Sequence, residues 1–355
     1  MDALSEVLRT VKLDSAFFFN AEFSAPWSFR SPNSCRLAPY ISQSRGHVIV
    51  YHLLIEGKAF ARLGNDRLAI HPGDVVICPH GDSHAFESGP CDHAVDAEDQ
   101  LQRIFSQGLK LSRMGGGGEV ARFICGFMVC EPTLSQAFLP GLPAMFKVNI
   151  RQDQSGQWLE NSIRYSLADG RATGAGAQAV LAKLSETLFI ETLRRYMSLL
   201  PEGQTGWLAG ARDAEVGKVL ARMHRQPAAP WTVAALAREA GISRPVLAAR
   251  FRQYLGEPPV SYLTHWRLQL SAQMLSSTNY SVAQIASKVG YDSEQAFNRA
   301  FKRNFGNPPA RYRNERKSRP DSTAMAHTDT PARSGFPRQA RAIARVTNNS
   351  ISRHR

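Results

Sequence analysis

The segment Val233-Ala-Ala-Leu-Ala-Arg-Glu-Ala-Gly241 occurs a second time as Val282-Ala-Gln-Ile-Ala-Ser-Lys-Val-Gly290. The two copies lie 49 residues apart, and after one inserted residue the offset becomes 50. The similarity then continues through matched pairs: Ser243 and Ser293, Phe251 and Phe301, Gly256 and Gly306, Pro258-Pro259 and Pro308-Pro309, and Tyr262 and Tyr312. So many matched positions in the same order indicate one supersecondary unit that is used twice.

Each copy carries the signals of two short helices joined by a tight turn. Residues that favour helix N-caps precede both helices of each copy, namely Thr232, Ser243, Ser281 and Ser293. A glycine, which tolerates the left-handed conformation, ends the first helix of each copy at Gly241 and Gly290. Large apolar residues mark the inner face of the second helices, namely Leu247, Phe251, Phe297 and Phe301. Two capped helices around a glycine turn predict a helix-turn-helix in each copy.

A continuous helical pattern over residues 260–275 joins the two copies. From Pro259 to Ser276 such a helix rises about 27 Å at roughly 1.5 Å per residue. Successive major-groove segments on one side of a DNA duplex lie about 34 Å apart. The second helix of each copy also carries basic residues, namely Arg244, Arg250, Arg252, Arg299, Lys302 and Arg303. The repeat, the spacer and the cations together predict that two basic helices enter neighbouring turns of one duplex.

Positive charge is concentrated in the part of the chain that holds the repeat. The 355 residues carry a formal net charge of +13. Residues 1–210 hold 19 basic and 21 acidic side chains, residues 211–317 hold 17 and 7, and residues 318–355 hold 7 and 2. A near-neutral half joined to a strongly basic half indicates a polyanionic partner for the basic half.

The composition excludes several classes of protein. Hydrophobic residues make up 43% of the chain, which rules out a protein that is disordered throughout. No stretch approaches 18 consecutive apolar residues, and residues 1–20 lack the pattern of a signal peptide, so we expect no membrane segment. The cysteines are too few and odd in number for a disulfide framework, namely Cys35, Cys78, Cys91, Cys125 and Cys130. The cytoplasm is therefore the expected compartment.

Residues 15–90 show the pattern of short strands separated by turns. Apolar and β-branched stretches at 48–55, 59–63, 68–70 and 75–78 alternate with Gly, Pro and Asp turns, and 123–129 is typical of a returning strand. Residues 91–118, which include four consecutive glycines, break this rhythm and are predicted to be a flexible insertion. Many short strands between turns predict an antiparallel sandwich or small barrel.

The pattern becomes helical from about residue 157. One apolar face runs along a long predicted helix, namely Leu181, Leu184, Leu188, Thr192, Tyr196 and Leu200. This face is predicted either to pair two subunits or to pack on the chain's own barrel, and the two are compatible. We expect four regions: a barrel domain over 1–150, a helical dimerisation or linker region over 151–206, a double helix-turn-helix domain over 207–317, and a disordered basic tail over 318–355. The expected fold class is thus α+β with several domains.

The second copy resembles the AraC/XylS family of bacterial transcription regulators. The resemblance covers residues 213–316 and rests on Ile285-Ala286, Val289-Gly290-Tyr291, Ser293, Phe297, Arg299, Phe301-Lys302, Phe305-Gly306, Pro308-Pro309 and Tyr312-Arg313. The N-terminal part is similar to the cupin-type sensors of some of these regulators, through Pro26-Trp27, Gly57, Gly73-Asp74 and the segment 79–84. The resemblance implies an activator or repressor that binds operator DNA, acts with RNA polymerase and responds to an effector.

The family's motif positions imply which residues contact DNA. In the first copy they are Arg244, Pro245, Ala248, Ala249 and Arg252. In the second copy they are Glu294, Gln295, Asn298, Arg299 and Arg303. Arginine pairs with guanine, glutamine with adenine, and glutamate accepts from cytosine, whereas Pro and Ala offer no hydrogen bonds to bases. We therefore expect the second motif to carry most sequence discrimination and the first to supply phosphate anchorage and shape readout.

The N-terminal domain has an incomplete cupin motif. The spacing from Gly73 through Pro79 and Gly81 to His84 fits, but the first motif has Leu54 where a second histidine is expected after His52. Strand alternation places His52, Leu54 and Glu56 on one face, so His52 and His84 are predicted to converge in an effector pocket. Two histidines and one carboxylate are a thin ligand set, and we expect no metal or other cofactor.

A redox signal is a second interpretation of the N-terminal domain. The opening residues 1–5 and Tyr51-His52 are similar to members of the family that sense reactive chlorine species. Cys125 is the candidate sensor thiol, drawn from Cys78, Cys91, Cys125 and Cys130. Inert buried thiols are the alternative, since the only evident activating neighbours in the sequence are His80 and His93.

Three functions are compatible with the sequence. The leading prediction is a sequence-specific transcription regulator, not an enzyme, that senses a small molecule or oxidant and pairs as a homodimer. One alternative is a cupin-type metalloenzyme with a basic DNA-binding appendage, which would leave the duplication unexplained. The other is an architectural DNA binder that senses nothing. The sequence names neither the effector, nor the operator, nor the sign of regulation.

Overall fold

A computed structural model describes residues 2–10, 13–41, 46–88, 95–96, 101–107, 109–130, 139–168, 175–317 and 343–344. The chain divides into two compact units. The barrel unit comprises residues 13–130, 142–201 and 340–355, and the helical unit comprises residues 1–12, 131–141 and 202–339. Apart from 343–344, the predicted tail over 318–355 lies outside the described residues. Within the described part of the chain, no helix combines the length and hydropathy needed to cross a bilayer.

The barrel unit contains two facing sheets. Its strands are β1 Leu13–Ser24, β2 Trp27–Ser31, β3 His47–Glu56, β4 Ala59–Leu63, β5 Asp66–Ile70, β6 Asp74–Cys78, β7 His84–Ser88, β8 Val95–Asp96, β9 Ser112–Gly115, β10 Val120–Cys130, β11 Met145–Asn149 and β12 Ile343–Ala344. One sheet has the order β12-β11-β6-β3-β10-β1-β9 and the other β5-β4-β7-β2-β8. Most neighbouring strands are antiparallel, as the turn-rich sequence predicted.

The strand pattern is confirmed, and the insertion is corrected. The predicted strands at 48–55, 59–63, 68–70, 75–78 and 123–129 correspond to β3, β4, β5, β6 and β10. The predicted insertion over 91–118 contains an ordered helix, α3, Leu101–Gln107, and the strand β9, which pairs in parallel with β1. Polar and glycine-rich composition concealed these elements because short segments take their order from tertiary pairing rather than from local propensity.

Three further helices belong to the barrel unit. They are α2 Ser34–Ile41, α4 Gln154–Ser166 and α5 Ala177–Leu199. The apolar face predicted on α5 is buried within the unit, where Tyr196 packs on Phe146 with ring centroids 4.2 Å apart. Ser185 on the same face forms a hydrogen bond with the Tyr51 hydroxyl of β3. Of the two predicted uses of this face, packing on the chain's own barrel is the one that the structure shows.

The helical unit holds the repeat. Its helices are α1 Ala3–Thr10, α6 Trp207–Arg212, α7 Ala214–Arg225, α8 Val233–Ala240, α9 Arg244–Leu255, α10 Pro259–Ser277, α11 Val282–Lys288, α12 Glu294–Phe305 and α13 Pro309–Lys317. The four predicted N-caps are confirmed, since each side-chain oxygen accepts a backbone N–H in the first turn of α8, α9, α11 or α12. Hereafter α9 and α12 are recognition helices 1 and 2, and α10 is the spacer helix.

Helix α1 packs in the helical unit although the barrel follows it in the chain. Ala3, Leu4 and Val7 are buried, and the helix packs against α7 and α6. The predicted 1–150 domain therefore differs from the observed contacts at its first residues. The apolar spacing of an eight-residue helix shows that a face is buried but not which unit buries it.

Candidate nucleic-acid interface and barrel interior

Recognition helix 2 presents the predicted base-contacting residues. Phe297 and Phe301 are fully buried and anchor its inner face. The opposite face carries exposed Glu294, Gln295, Arg299 and Arg303, with a half-exposed Asn298, all accessible to a ligand. Among the described residues, Gln295, Asn298 and Arg299 have no hydrogen-bond or ionic partner. Their polar atoms are therefore available to base edges.

Recognition helix 1 has the same inner face and a different outer one. Leu247 and Phe251 are fully buried. The predicted DNA-contacting residues are exposed or half-exposed, namely Arg244, Pro245, Ala248, Ala249 and Arg252. At the repeat offset of 50, Ala249 occupies the place of Arg299. The structure thus keeps the two helices equivalent while their outward chemistry differs.

Arg250 does not belong to the basic face on which sequence reasoning placed it. Its guanidinium forms ion pairs with Asp213, at 3.2 Å, and with Glu215. Asp213 caps α7 by accepting the backbone N–H of Val216 at 2.9 Å. Arg250 therefore holds recognition helix 1 to the start of α7. Sequence periodicity cannot predict this role, because a basic residue on the polar face of a helix has the same spacing whether it contacts solvent, DNA or the acidic N-cap of another helix.

His52 and His84 meet inside the barrel, as predicted. His52 lies on β3 and His84 on β7, which belong to opposite sheets. Their Nε2 atoms are 2.7 Å apart, and both residues are buried. The strand register also sets Cys125 of β10 directly opposite His52, with Sγ 2.9 Å from His52 Nδ1. Sequence reasoning missed this third member because strand register depends on long-range pairing.

The hydrogen bonds of this group run in one direction. The Asp82 carbonyl oxygen only accepts, so His84 Nδ1, at 2.9 Å, carries the proton. In a neutral ring His84 Nε2 then accepts the Nε2–H of His52. His52 Nδ1 is in turn an acceptor and receives the Cys125 Sγ–H. We call this sequence of donors and acceptors, from Cys125 through His52 and His84, the thiol–imidazole chain.

Burial keeps the thiol–imidazole chain neutral. It lowers the pKa of His52 well below its ordinary range, and the neighbouring His84 lowers it further. Burial also lowers the pKa of His84, although the Asp82 carbonyl opposes this. The pKa of the Cys125 thiol is raised by burial. Protonated thiol and neutral imidazoles are the forms that the deduced hydrogen-bond directions require.

The barrel interior does not fit a metal ion. Leu54 is buried and supplies no ligand atom. Glu56, predicted on the same face, lies exposed at the end of β3, 3.6 Å from Arg164. The nitrogens of His52 and His84 are directed at each other and at their neighbours, and the described residues contain no group of three or more His, Cys, Asp or Glu arranged to hold a metal. No chemistry through a metal follows from this site.

Neither Cys78 nor Cys130 is placed to form a disulfide with Cys125. Cys78 on β6 lies opposite Val50 of β3, and Cys125 lies on the far side of β3. Two strand spacings separate their backbones by roughly 10 Å, whereas a disulfide needs Cα atoms within about 7 Å. Cys130 is five residues further along β10, and Cys91 lies outside the described residues.

Comparisons with known proteins find matches to both parts of the chain. Residues 2–198 match a family model described as cupin, and residues 236–315 match one described as a helix-turn-helix domain. An AraC-like transcription regulator of Streptomyces lividans is 31% identical over 322 residues, covering 88% of this chain and 98% of that protein. The RCS-specific HTH-type transcriptional activator RclR of Escherichia coli is 28% identical over 268 residues, covering 75% of this chain and 84% of that protein.

One solved structure is similar to a part of the chain. The DNA-binding domain of AdpA, in complex with a target DNA, is 30% identical and covers 29% of this chain and 92% of that chain, with a TM-score of 0.28. The two helix-turn-helix motifs and the barrel define a DNA-binding transcription regulator with an N-terminal cupin domain. The chain belongs to the AraC-like transcription regulators.

Proposed function

We propose that recognition helix 2 reads base sequence and that recognition helix 1 anchors the protein on phosphates and reads groove shape. Three side chains without partners among the described residues support this assignment, namely the exposed Gln295 and Arg299 and the half-exposed Asn298, because their donors and acceptors match base edges in the major groove. Recognition helix 1 supplies Arg244 and Arg252 for phosphates, and the small side chains of Ala248 and Ala249 allow close approach to thymine methyl groups.

The base preferences of single-residue variants test whether the two recognition helices have these different roles. Arg299→Ala should abolish preference for one guanine, at a cost of about 1–3 kcal/mol on the preferred site. Arg252→Ala, the matched control, should weaken binding to all sequences by a similar factor because a phosphate contact carries no sequence information. Selection from random DNA measures both. An Arg299→Ala protein with unchanged base preference would refute the assignment.

The thiol–imidazole chain is the proposed sensor, and an oxidant is its signal. Cys125 is 4% exposed, so only a small neutral oxidant can enter, such as hypochlorous acid. Because the resting thiol is protonated, His52 Nδ1 accepts its proton as sulfur attacks chlorine: the S–Cl bond forms, the Cl–O bond breaks, and His52 passes the proton to the departing hydroxide, which leaves as water. Hydrolysis of S–Cl then gives sulfenic acid and chloride. The relative from Escherichia coli is named as RCS-specific, which supports this chemical class.

Cys125→Ser tests the sensor. With an operator obtained by selection, wild-type DNA affinity should change after treatment with a few equivalents of hypochlorous acid, and the Cys125→Ser protein should not respond. Cys35→Ser is the matched control, since Cys35 is an exposed thiol of the same unit. A full oxidant response in the Cys125→Ser protein would exclude Cys125 as the sensor.

A small-molecule effector is the second candidate, favoured by one buried donor. Trp27 Nε1 lies in the aromatic core with Phe23 and Phe123 and has no acceptor among the described residues. An apolar effector with one acceptor atom would satisfy it and would contact the predicted pocket residues His52, Leu54 and His84. A compound that shifts operator affinity in wild type but not in Trp27→Phe would establish this alternative.

Partners other than DNA complete the proposal. A homodimer is supported by Trp158 and Tyr165, which are 64% and 62% exposed and lie seven residues apart on α4.

RNA polymerase is the proposed protein partner because regulators of this family act on transcription, and the cytoplasm is the proposed location. The names of the relatives support a regulator rather than an enzyme.

A further inference from the structure

The two helix-turn-helix motifs touch through a loop and a turn, which share a cavity with Glu294 at the start of recognition helix 2. The loop over 226–231 leads from α7 into α8, the first helix of the first motif. It approaches the turn at Gly290, between the helices of the second motif, so closely that a β-carbon at Gly290 would lie 2.7 Å from Ala228 Cα. Gly290 also has φ +85°, a conformation that side chains disfavour. Only glycine fits this contact without strain.

Arg267 of the spacer helix holds the loop and the turn together. Its Nε donates to the Pro227 carbonyl at 2.7 Å, and one terminal nitrogen donates to the Ala229 carbonyl at 2.8 Å. Its other terminal nitrogen donates to the Gly290 carbonyl at 3.2 Å. One side chain thus satisfies three backbone acceptors from both motifs. The rigid planar fork of arginine can do this, whereas the single ammonium of lysine cannot match all three directions.

The position of this contact links it to DNA recognition. Recognition helix 2 begins at Glu294, shortly after Gly290, and the loop ends at the N-cap of α8. Any change in the distance between loop and turn therefore moves recognition helix 2 relative to the first motif. The spacer helix packs against recognition helix 1 and against helices of the second motif. The contact made by Arg267 adds a direct link between the loop and the turn, which opposes rotation of one motif about the spacer.

We propose that Arg267 is a positioning residue that sets the spacing between the two DNA subsites the protein accepts. One base pair of added spacing shifts the second subsite by about 3.4 Å and roughly 34° around the duplex. If the two motifs are held rigidly, DNA with the altered spacing binds more weakly. If they can move relative to each other, the affinity changes little. Arg267 thus determines which spacing between subsites is preferred. It does not determine the base preference, which is assigned to Arg299, or the affinity for a single subsite.

The internal repeat provides a matched control for the glycine contact. Gly241 is the first-copy equivalent of Gly290 and has φ +74°, but a β-carbon there would meet open space. Gly241→Ala and Gly290→Ala therefore carry similar backbone strain, and only Gly290→Ala forces the loop and the turn apart. A spacing effect confined to Gly290→Ala separates the contact from general destabilisation.

The experiment measures affinity of the full chain for selected bipartite DNA whose spacer is lengthened or shortened by one and two base pairs. Wild type should prefer one spacing by about tenfold or more, and Arg267→Met should reduce that ratio to about twofold, as expected for loss of charge-assisted hydrogen bonds. Arg267→Lys, which keeps the charge, should behave like Arg267→Met. Binding to a probe with a single subsite should be unchanged in both.

Two results would overturn the proposal. One is a folded Arg267→Met protein that retains the wild-type spacing ratio. The other is an equal loss of spacing preference in Gly241→Ala and Gly290→Ala, and this pair decides the matter if the Arg267 variants fail to fold. A wild type with no spacing preference would instead contradict simultaneous reading by both motifs, a distinct failure that the single-subsite probe identifies.

Discussion

At the scale of residues, a second buried histidine takes part in a network of hydrogen bonds and ring contacts. In the helical unit, Trp207 Nε1 donates to the Tyr262 hydroxyl at 2.8 Å, and that hydroxyl shares a hydrogen bond of 2.8 Å with His224 Nε2. His224 also stacks on Trp266 with ring centroids 4.2 Å apart. As in the thiol–imidazole chain, burial lowers the pKa of the imidazole and so favours its neutral form.

Acid should destabilise the helical unit through His224. Burial lowers the pKa of His224 to about 3, from 6.5 for the free side chain. Between these values the unfolded chain binds a proton that the folded chain does not, so stability is complete above pH 6.5 and falls as pH decreases. At pH 5 the loss is about 2 kcal/mol, at roughly 1.4 kcal/mol per pH unit.

Denaturant unfolding at pH 7 and pH 5 measures this loss, with His224→Gln for comparison. The variant should be less stable at pH 7, because stacking on Trp266 is weakened, but should lose less on acidification. An identical acid-induced loss in wild type and in His224→Gln would show that other groups are responsible.

The residues that form the two sites could largely be predicted from the sequence. The side chains that some of them contact could not. His52, His84 and the outer face of recognition helix 2 follow from period and motif. The neighbour of Cys125 depends on the pairing of β10 with β3, which no local pattern encodes. Arg250 was misplaced because its partners, Asp213 and Glu215, come from another helix.

At the scale of elements, the repeat explains why boundaries were predictable in the helical unit. N-cap residues and C-terminal glycines are local signals in the sequence. Each of the four helices around the two turns begins after its predicted N-cap. In the barrel unit, α2 was missed because it is short and contains Pro39. The insertion helix α3 was missed for a similar reason, since packing rather than sequence period stabilises so short a helix.

The exposed face of α4, rather than the face of α5 considered from the sequence, is the element proposed to pair two chains. Trp158 and Tyr165 lie on one stripe, and substituting both with alanine should convert dimer to monomer because aromatic residues carry much of the energy of small interfaces. Light scattering on the eluting protein measures the mass. Val120→Ala, at another exposed apolar residue of the barrel unit, is the control. A wild-type protein that is monomeric at all concentrations would contradict the prediction.

At the scale of the whole molecule, charge and connectivity separate two tasks. We expect the basic residues of 211–317 to supply most of the DNA affinity and the near-neutral residues 1–210 to contribute little to it. The chain passes between the two units after residues 12, 130, 141, 201 and 339. These covalent connections provide routes by which a change at the thiol–imidazole chain can reach the DNA-binding helices.

Selection of DNA from a random pool by the full-length protein tests the central claim most directly. If both motifs read one duplex, the recovered sequences should contain two subsites whose centres lie about 10–10.5 base pairs apart. The subsite contacted by recognition helix 2 should show the stronger base preference. Recovery of a single isolated subsite, or of sequences with no common element, would contradict the account.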